Sequence, residues 1–150
     1  MAATDSTIAW EVSSDPARLD RALIHGFLSG SYWAAGIPRE TVDRALDHSC
    51  CFGVYEAGRQ IAFARVITDH ATFAYLADVF VVESHRGRGV GKHLVSAIMR
   101  DPSLQNLRRW MLATLDAHGL YERFGFGALT HPERFMEIRR PNPYGQLTAN

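Results

Sequence analysis

The sequence predicts an α+β fold, in which strands and helices are mixed around one sheet. Three observations carry this. Residues 51–82, "CFGVYEAGRQIAFARVITDHATFAYLADVFVV", read as three successive strands, with turn signals at Ala57-Gly58 and Asp69-His70. Segments with apolar residues at helical spacing flank that block on both sides. A glycine-rich stretch joins the last of the three strands to a helix, and a further strand follows. Hairpins combined with a strand–helix–strand crossover imply a mixed sheet rather than a doubly wound parallel one.

Ile8 to Val12 reads as a short first strand. Asp15-Pro16 supplies an N-cap and a proline at the first helical position. Leu19, Ala22, Leu23, Gly26 and Phe27 follow at helical spacing as a buried face. "SYWAAGIP" interrupts this helix, and Pro38 opens a second one with Val42, Ala45 and Leu46 on one face. The strand from Thr72 to Val82 is rich in aromatic and β-branched residues, as suits a central, covered strand. The next helix carries Leu94, Val95, Ile98 and Met99 and ends at Asp101-Pro102. "LRRWMLATL" is another strand. Asp116 is the expected N-cap of a short helix, "AHGLYERF", which Gly125 stops. "GALTHPERFMEIRR" gives a final hairpin-like stretch, and the tail 141–150 reads as loose.

The chain of 150 residues shows no internal repeat or linker and reads as a single domain over 1–150. Sixteen Lys and Arg balance sixteen Asp and Glu, so the formal net charge is zero. A general nucleic-acid or membrane-surface binder needs a basic excess, and neither partner is expected. No apolar run is long enough to span a bilayer, and "MAATDSTIAWEV" lacks the pattern of a signal peptide, so a cytoplasmic location is expected. Cys50 and Cys51 are adjacent. That spacing suits neither a disulfide framework nor a metal site, so no metal is expected and both read as small residues at a strand start.

The informative stretch is "HRGRGVGKHL", His85 to Leu94. Glycines between a strand and a helix let the backbone approach a bulky anion, and the N–H groups of the helix start point at it. Arg86, Arg88 and Lys92 add positive charge. A Walker A loop is excluded, because Gly91-Lys92 is followed by His93 and position 86 is arginine. A dinucleotide fingerprint is excluded because position 92, which would have to be glycine, is Lys92.

The pattern that fits is [QR]-x-x-G-x-[GA], as Arg86-Gly87-Arg88-Gly89-Val90-Gly91. It resembles the acyl-CoA pyrophosphate loop of the GNAT superfamily of N-acetyltransferases. "ADVFVV" before it, a helix after it, and "LYERFGF" further on resemble that superfamily's pattern, as does the element order. The resemblance implies a central, mixed, mostly antiparallel twisted sheet flanked by about four helices. It implies acetyl-CoA as co-substrate and a small-molecule primary amine, or an amino-acid-like compound, as acceptor. A non-catalytic acyl-CoA-binding or sensor domain of the same fold is the alternative.

By that resemblance, Phe80, Val81 and Val82 pair through their backbone with the pantetheine arm, and Arg86, Gly87, Arg88, Gly89, Val90, Gly91 and Lys92 hold the pyrophosphate. Tyr121 matches the tyrosine that protonates the departing thiolate, although its spacing also suits a buried aromatic. Asp78 is the candidate general base or, equally, a structural carboxylate; alternation puts it on one strand face with Phe80. Glu83 and His118 are further candidates for proton transfer, and Arg123 for cofactor phosphates. The strand "YLADVFV" resembles "YLEDFFV"-type strands of the polyamine-acetylating branch. The glutamate of that branch is Ala77 here, which argues against a polyamine. Thr114 stands where many members carry a cofactor-contacting asparagine. Tyr32 and Trp33 form an aromatic wall for the acceptor or, alternatively, staple two helices. Many such domains pair through their last strands, and "RFMEIRR" is the candidate segment for a homodimer.

Overall fold

The computed structural model describes residues 9–145, so Ile8 lies outside them. Strands β1 (Trp10–Ser13), β2 (Cys50–Glu56), β3 (Arg59–Thr68), β4 (Phe73–Val81) and β5 (Arg109–Leu112) form one sheet in that spatial order. β1 to β4 are antiparallel neighbours, and β5 joins β4 in parallel. The α-helices among the described residues are α1 (Arg21–Ser29), α2 (Arg39–Asp47), α3 (Val90–Met99) and α4 (His118–Glu122). A parallel pair needs a crossover, and α3 supplies it between β4 and β5. The α+β class and the mixed, mostly antiparallel sheet are therefore those expected from the sequence.

β3 is covered on both faces. Ala62, Ala64 and Val66 pack with Val90, Leu94, Val95 and Ile98 of α3. Phe63 points the other way, into a second cluster with Ile24 and Leu28 of α1 and Val42 and Leu46 of α2. Local chemistry fixes the turns. Ala57 and Gly58 both have positive φ, +50° and +80°, as a type I′ two-residue hairpin requires. In the β3–β4 turn the Asp69 carboxylate accepts the N–H groups of Ala71, Thr72 and Phe73. Those bonds hold its carboxyl far below the usual carboxylate range. No helix among the described residues is long and apolar enough to cross a membrane.

Four local expectations are corrected. Asp15 caps only a 3-10 turn, Pro16–Arg18; Asp20 caps α1, accepting the Leu23 N–H at 3.0 Å. With that start, the buried face of α1 is Ile24 and Leu28, while Ala22 and Gly26 are exposed. Thr114, not Asp116, accepts the Ala117 N–H ahead of α4, at 3.0 Å. The final hairpin is not formed: residues 131–140 are all exposed, with a single 3-10 turn at Pro132–Arg134. Of the tail, Pro141, Asn142 and Pro143 are exposed, Tyr144 is half-buried and Gly145 is buried.

One close approach tests the packing. A Cβ on Gly53 would come within 2.5 Å of the Tyr55 hydroxyl. That hydroxyl donates to the Arg18 carbonyl at 3.0 Å, and the Arg18 guanidinium lies 4.3 Å from the ring centre. Gly53→Ala is expected to lower the unfolding free energy by about 1–3 kcal/mol through overpacking. Gly26→Ala, in an exposed helix position with open space around it, should instead gain about 0.5–1 kcal/mol. Urea unfolding of both variants measures the contrast.

Candidate active site

The site begins with one extra residue in β4. Phe63 opposes Phe80 and Arg65 opposes Ala77, so Ala64 alone on β3 spans Asp78 and Val79 on β4. Two residues against one is a β-bulge, and Asp78 occupies it at φ +54°. β5 pairs with β4 only from Phe73↔Arg109 to Leu76↔Leu112. From Ala77 onward the side of β4 that faced β5 has no strand beside it among the described residues.

This half of β4 presents backbone outward in a defined way. The Val82 N–H donates to the Ile61 carbonyl at 2.9 Å, so Val82 and, by alternation, Phe80 direct their peptide groups at β3. Val81 directs its groups to the open side, where its carbonyl accepts Arg86 Nε at 3.1 Å. By the same alternation Val79, which the sequence did not single out, faces the open side with Val81. The Phe80 side chain is buried and stacks on Phe27 of α1, with ring centres 3.9 Å apart.

Where β4 and β5 part, a cavity of about 680 Å³ opens. It brings Tyr32, Trp33, Asp78, Thr114 and Tyr121 together, and adds Arg65, Tyr75, Asp116 and Tyr144. Asp78 Oδ2 accepts Arg65 Nε at 2.7 Å, and Oδ1 accepts Trp33 Nε1 at 2.8 Å. Arg65 also donates to Ser49 Oγ at 3.2 Å. The Arg65 and Asp78 side chains are only 19% and 12% exposed, so the ion pair is largely withdrawn from water. Trp33, on the α1–α2 connection, is thereby latched to the bulge of β4. Asp78 and Phe80 share the face toward α1, as expected, and both oxygens of Asp78 are engaged. A signal for Arg65 exists in the sequence, as the one charged residue inside the apolar run "IAFARVIT". Tyr75 and Tyr144 carry no such signal.

Tyr121 is 7% exposed, and its ring meets Phe126 edge-on at 6.0 Å. Burial pushes its phenol above the ordinary tyrosine range, so the group is protonated at neutral pH. Thr114 lines the cavity, with its hydroxyl accepting the Ala117 N–H just ahead of α4. His118 is exposed and lines a different hollow beside α4, while Glu83 and Arg123 are exposed.

The glycine loop leads into α3. Gly87 and Gly89 have φ of +77° and +87°, and a Cβ on either would meet nothing within 4 Å. Gly89 is the N-cap and supplies no capping side chain. The first turn closes with the His93 N–H on the Gly89 carbonyl, so the N–H groups of Val90, Gly91 and Lys92 have no intrahelical acceptor. Arg88 and Lys92 are exposed beside them. His85 approaches Glu56 at 3.1 Å at the root of the loop, and hydrogen bonds from His85 and Trp10 hold the Glu56 carboxyl below its ordinary range. Open glycine backbone, a bare helix start and two cations fit a pyrophosphate. Among the described residues no three His, Cys, Asp or Glu side chains cluster as metal ligands.

The profile of the Acetyltransferase (GNAT) family matches residues 18–126. A Gibberella zeae protein named "Putative acetyltransferase FG08082" is 34% identical, in a match that covers 73% of this chain and 74% of that protein. A crystal structure from Xanthomonas campestris pv. campestris, named "a putative acetyltransferase belonging to the gnat family", is 54% identical. It superposes with a TM-score of 0.89 over 91% of this chain and 97% of its own. A Clostridium acetobutylicum structure solved with acetyl-CoA shares the fold, at 14% identity and TM-score 0.62, covering 87% of this chain and 95% of its own.

The ion pair gives a stability test. Arg65→Met leaves the Asp78 carboxylate without its cation and is expected to cost about 3 kcal/mol. Trp33→Phe removes one hydrogen bond and should cost about 1 kcal/mol. Equal losses in chemical denaturation would mean that the guanidinium does not anchor the bulge.

Proposed function

The chain belongs to the GNAT acetyltransferase family, and from that premise we propose that it is an acetyl-CoA-dependent N-acetyltransferase. Its acceptor is the primary amine of a small or amino-acid-like molecule, which attacks directly in a ternary complex. The observation that carries the reading is the cavity at the parting of β4 and β5, where a buried, protonated Tyr121 shares one space with Asp78 and Trp33. When bound, acetyl-CoA supplies an activated acyl group and a thiolate leaving group.

The residues divide the work. The N–H groups of Gly87 to Lys92 and the charges of Arg86, Arg88 and Lys92 receive the pyrophosphate. The Val81 N–H, with the backbone groups of Val79, faces an extended ligand arm along the free side of β4, while the Val81 carbonyl is held by Arg86 Nε. Tyr121 keeps its proton at neutral pH and donates it to the leaving thiolate. Asp78 is committed to Arg65 and Trp33, and this pairing suits a residue that sets the acceptor wall and faces the ammonium with its remaining lone pairs. The amine proton leaves to water in the cavity. Tyr32 and Trp33, exposed at the cavity mouth, wall the acceptor.

Direct attack is supported by the state of the thiols. Neither cysteine lines the cavity, and burial pushes the Cys51 thiol up to about 12, so no thiolate stands ready to carry the acyl group. We place the reaction in the cytoplasm, which suits two free cysteines.

A panel of primary amines with acetyl-CoA, followed by release of free thiol, tests the proposal. Turnover on at least one amine is expected; tight acetyl-CoA binding with no turnover on any would leave a binding domain instead. Tyr121→Phe should lower kcat by about 100-fold. Because burial raises its pKa, the wild-type rate should fall only above the ordinary tyrosine range, and the variant should lack that alkaline fall. Gly89→Val should weaken acetyl-CoA binding by about tenfold, ~1.4 kcal/mol, read by calorimetric titration.

A further inference from the structure

The ion pair in the acceptor cavity leaves one donor unused. A carboxylate that meets an arginine on its Nε edge ordinarily takes the Nη2 N–H of that edge with its second oxygen. Asp78 does not. Its Oδ2 accepts Arg65 Nε at 2.7 Å, and its Oδ1 is turned to Trp33 Nε1 at 2.8 Å. Arg65 Nη1 donates to Ser49 Oγ at 3.2 Å. Among the described residues, Nη2 has no acceptor. No buried polar side-chain atom among them lacks a partner, so Nη2 is within reach of solvent. β3 is covered on both faces, and the space that Arg65 lines is the acceptor cavity.

Among the described residues that line this cavity, Arg65 is the one lysine or arginine. Beside it, the Asp78 carboxylate keeps lone pairs that its two bonds do not use. A free cationic N–H next to a carboxylate matches a ligand whose own carboxylate and ammonium stand one carbon apart. The protein pair is neutral as a whole, and so is that zwitterion. Docking one on the other alternates the charges and brings no net charge into a site largely withdrawn from water. A simple amine would bring a cation alone and leave Nη2 without an acceptor. The other carboxylate on the wall, Asp116, is exposed, and it repels a second acid group on the ligand. Tyr32, after α1, and Leu115, between β5 and α4, also line the cavity and are 68% and 70% exposed. They offer contact to an uncharged, apolar body.

We infer, on the N-acetyltransferase reading above, that Arg65 is a specificity residue whose Nη2 receives the carboxylate of the acceptor, a free α-amino acid with an uncharged, apolar side chain. Asp78 faces the amino group, and Tyr32 and Leu115 flank the side chain. The amino nitrogen forms its bond to the acetyl carbon as the bond to sulfur breaks. One amine proton leaves to water, and Tyr121 protonates the thiolate. The products are an N-acetyl amino acid and the CoA thiol. The first residue of a peptide carries an amide where the free amino acid carries its carboxylate, so it leaves Nη2 without an anion.

Matched acceptors with acetyl-CoA test this: L-phenylalanine, its amide and phenethylamine, then L-leucine, its amide and 3-methylbutylamine. An amino acid amide frees its amine more readily than the acid does, so a preference for the acid does not come from amine basicity. In the faster-reacting set, the acid is expected to exceed both analogues in kcat/KM by at least about tenfold, the scale of one charge-assisted hydrogen bond. A smaller preference, or the reverse, overturns the role of Arg65, while turnover of the simple amines would leave the N-acetyltransferase reading standing. Arg65→Lys keeps a cation beside Asp78 but removes the planar fork, and the acid-to-amine ratio should fall by about tenfold. A general loss of activity cancels in that ratio, so an unchanged ratio also overturns the role. Should nothing turn over, the N-acetyltransferase reading fails by itself. Calorimetric titration of the CoA-loaded wild type then still decides the site: acid bound at least about tenfold tighter than the matched amine supports it, and anything less overturns it.

Discussion

The constraint on which the site depends is that β4 must be a full sheet strand on one side and an open edge on the other. Its pairing with β3 runs to Val81, while its pairing with β5 stops at Leu76. A regular strand between two neighbours would have no reason to release one of them. The extra residue at Asp78 supplies the reason. A bulge bends its strand and raises the local twist, and here it lies just past the last β4–β5 pair. The bend opens the cavity, and the same extra residue turns the Asp78 carboxylate to the α1–α2 side of the sheet. Geometry that separates two strands and placement of the charge that lines the gap are therefore one event.

A non-glycine residue at φ +54° is held there by its surroundings. Arg65, from the neighbouring strand, and Trp33, from the loop after α1, each take one oxygen of the Asp78 carboxylate. Withdrawing the ion pair from water costs desolvation that the attraction repays only with good geometry. At 2.7 Å, with a further bond from Arg65 to Ser49, the geometry is good. Such a network contributes less to net stability than to choosing one arrangement. Removing Arg65 or Asp78 leaves the other charge without its counter-ion, and removing Asp78 also takes away the bond that ties the Trp33 loop to the sheet.

The sequence made the backbone machinery legible and the side-chain machinery less so. Ala57-Gly58 and the glycine loop could be read because positive φ restricts residue choice so strongly that composition marks it. The helix start was misplaced because Asp15-Pro16 and Asp20 both carry capping chemistry, and only the apolar positions Ile24 and Leu28 decide between them. Asp116 was misread as the cap of α4 because its type suits that position, whereas the N-cap is Ala117 and the Thr114 hydroxyl takes the N–H of that residue. The bulge was invisible, since aspartate in a strand reads as an ordinary polar position; the displaced register appears only when β3 is laid beside β4. The last hairpin failed for a different reason. "RFMEIRR" has the alternation of a strand, but alternation states only that a segment suits pairing, not that a partner strand lies beside it.

The two halves of the proposed ternary complex are built from different materials, and this bears on how specificity is set. In that proposal the acyl donor meets main chain: the bare N–H groups at the start of α3 and the outward backbone groups of Val79 and Val81. Main chain is indifferent to side-chain identity so long as the glycines and the bulge persist, so this half can stay constant while the rest of the sequence changes. The acceptor meets side chains drawn from separate places: Tyr32 and Trp33 after α1, Arg65 and Tyr75 from the sheet, Asp116 before α4, and Tyr144 near the end of the described chain. Most of these sit on connections rather than on strands, where substitution costs little stability. Trp33 is the exception that joins the halves, because its indole is tied to the residue that opens β4. A change of acceptor can therefore proceed through Tyr32, Asp116 or Tyr144 without disturbing the donor side, whereas a change at Trp33 reaches the bulge itself.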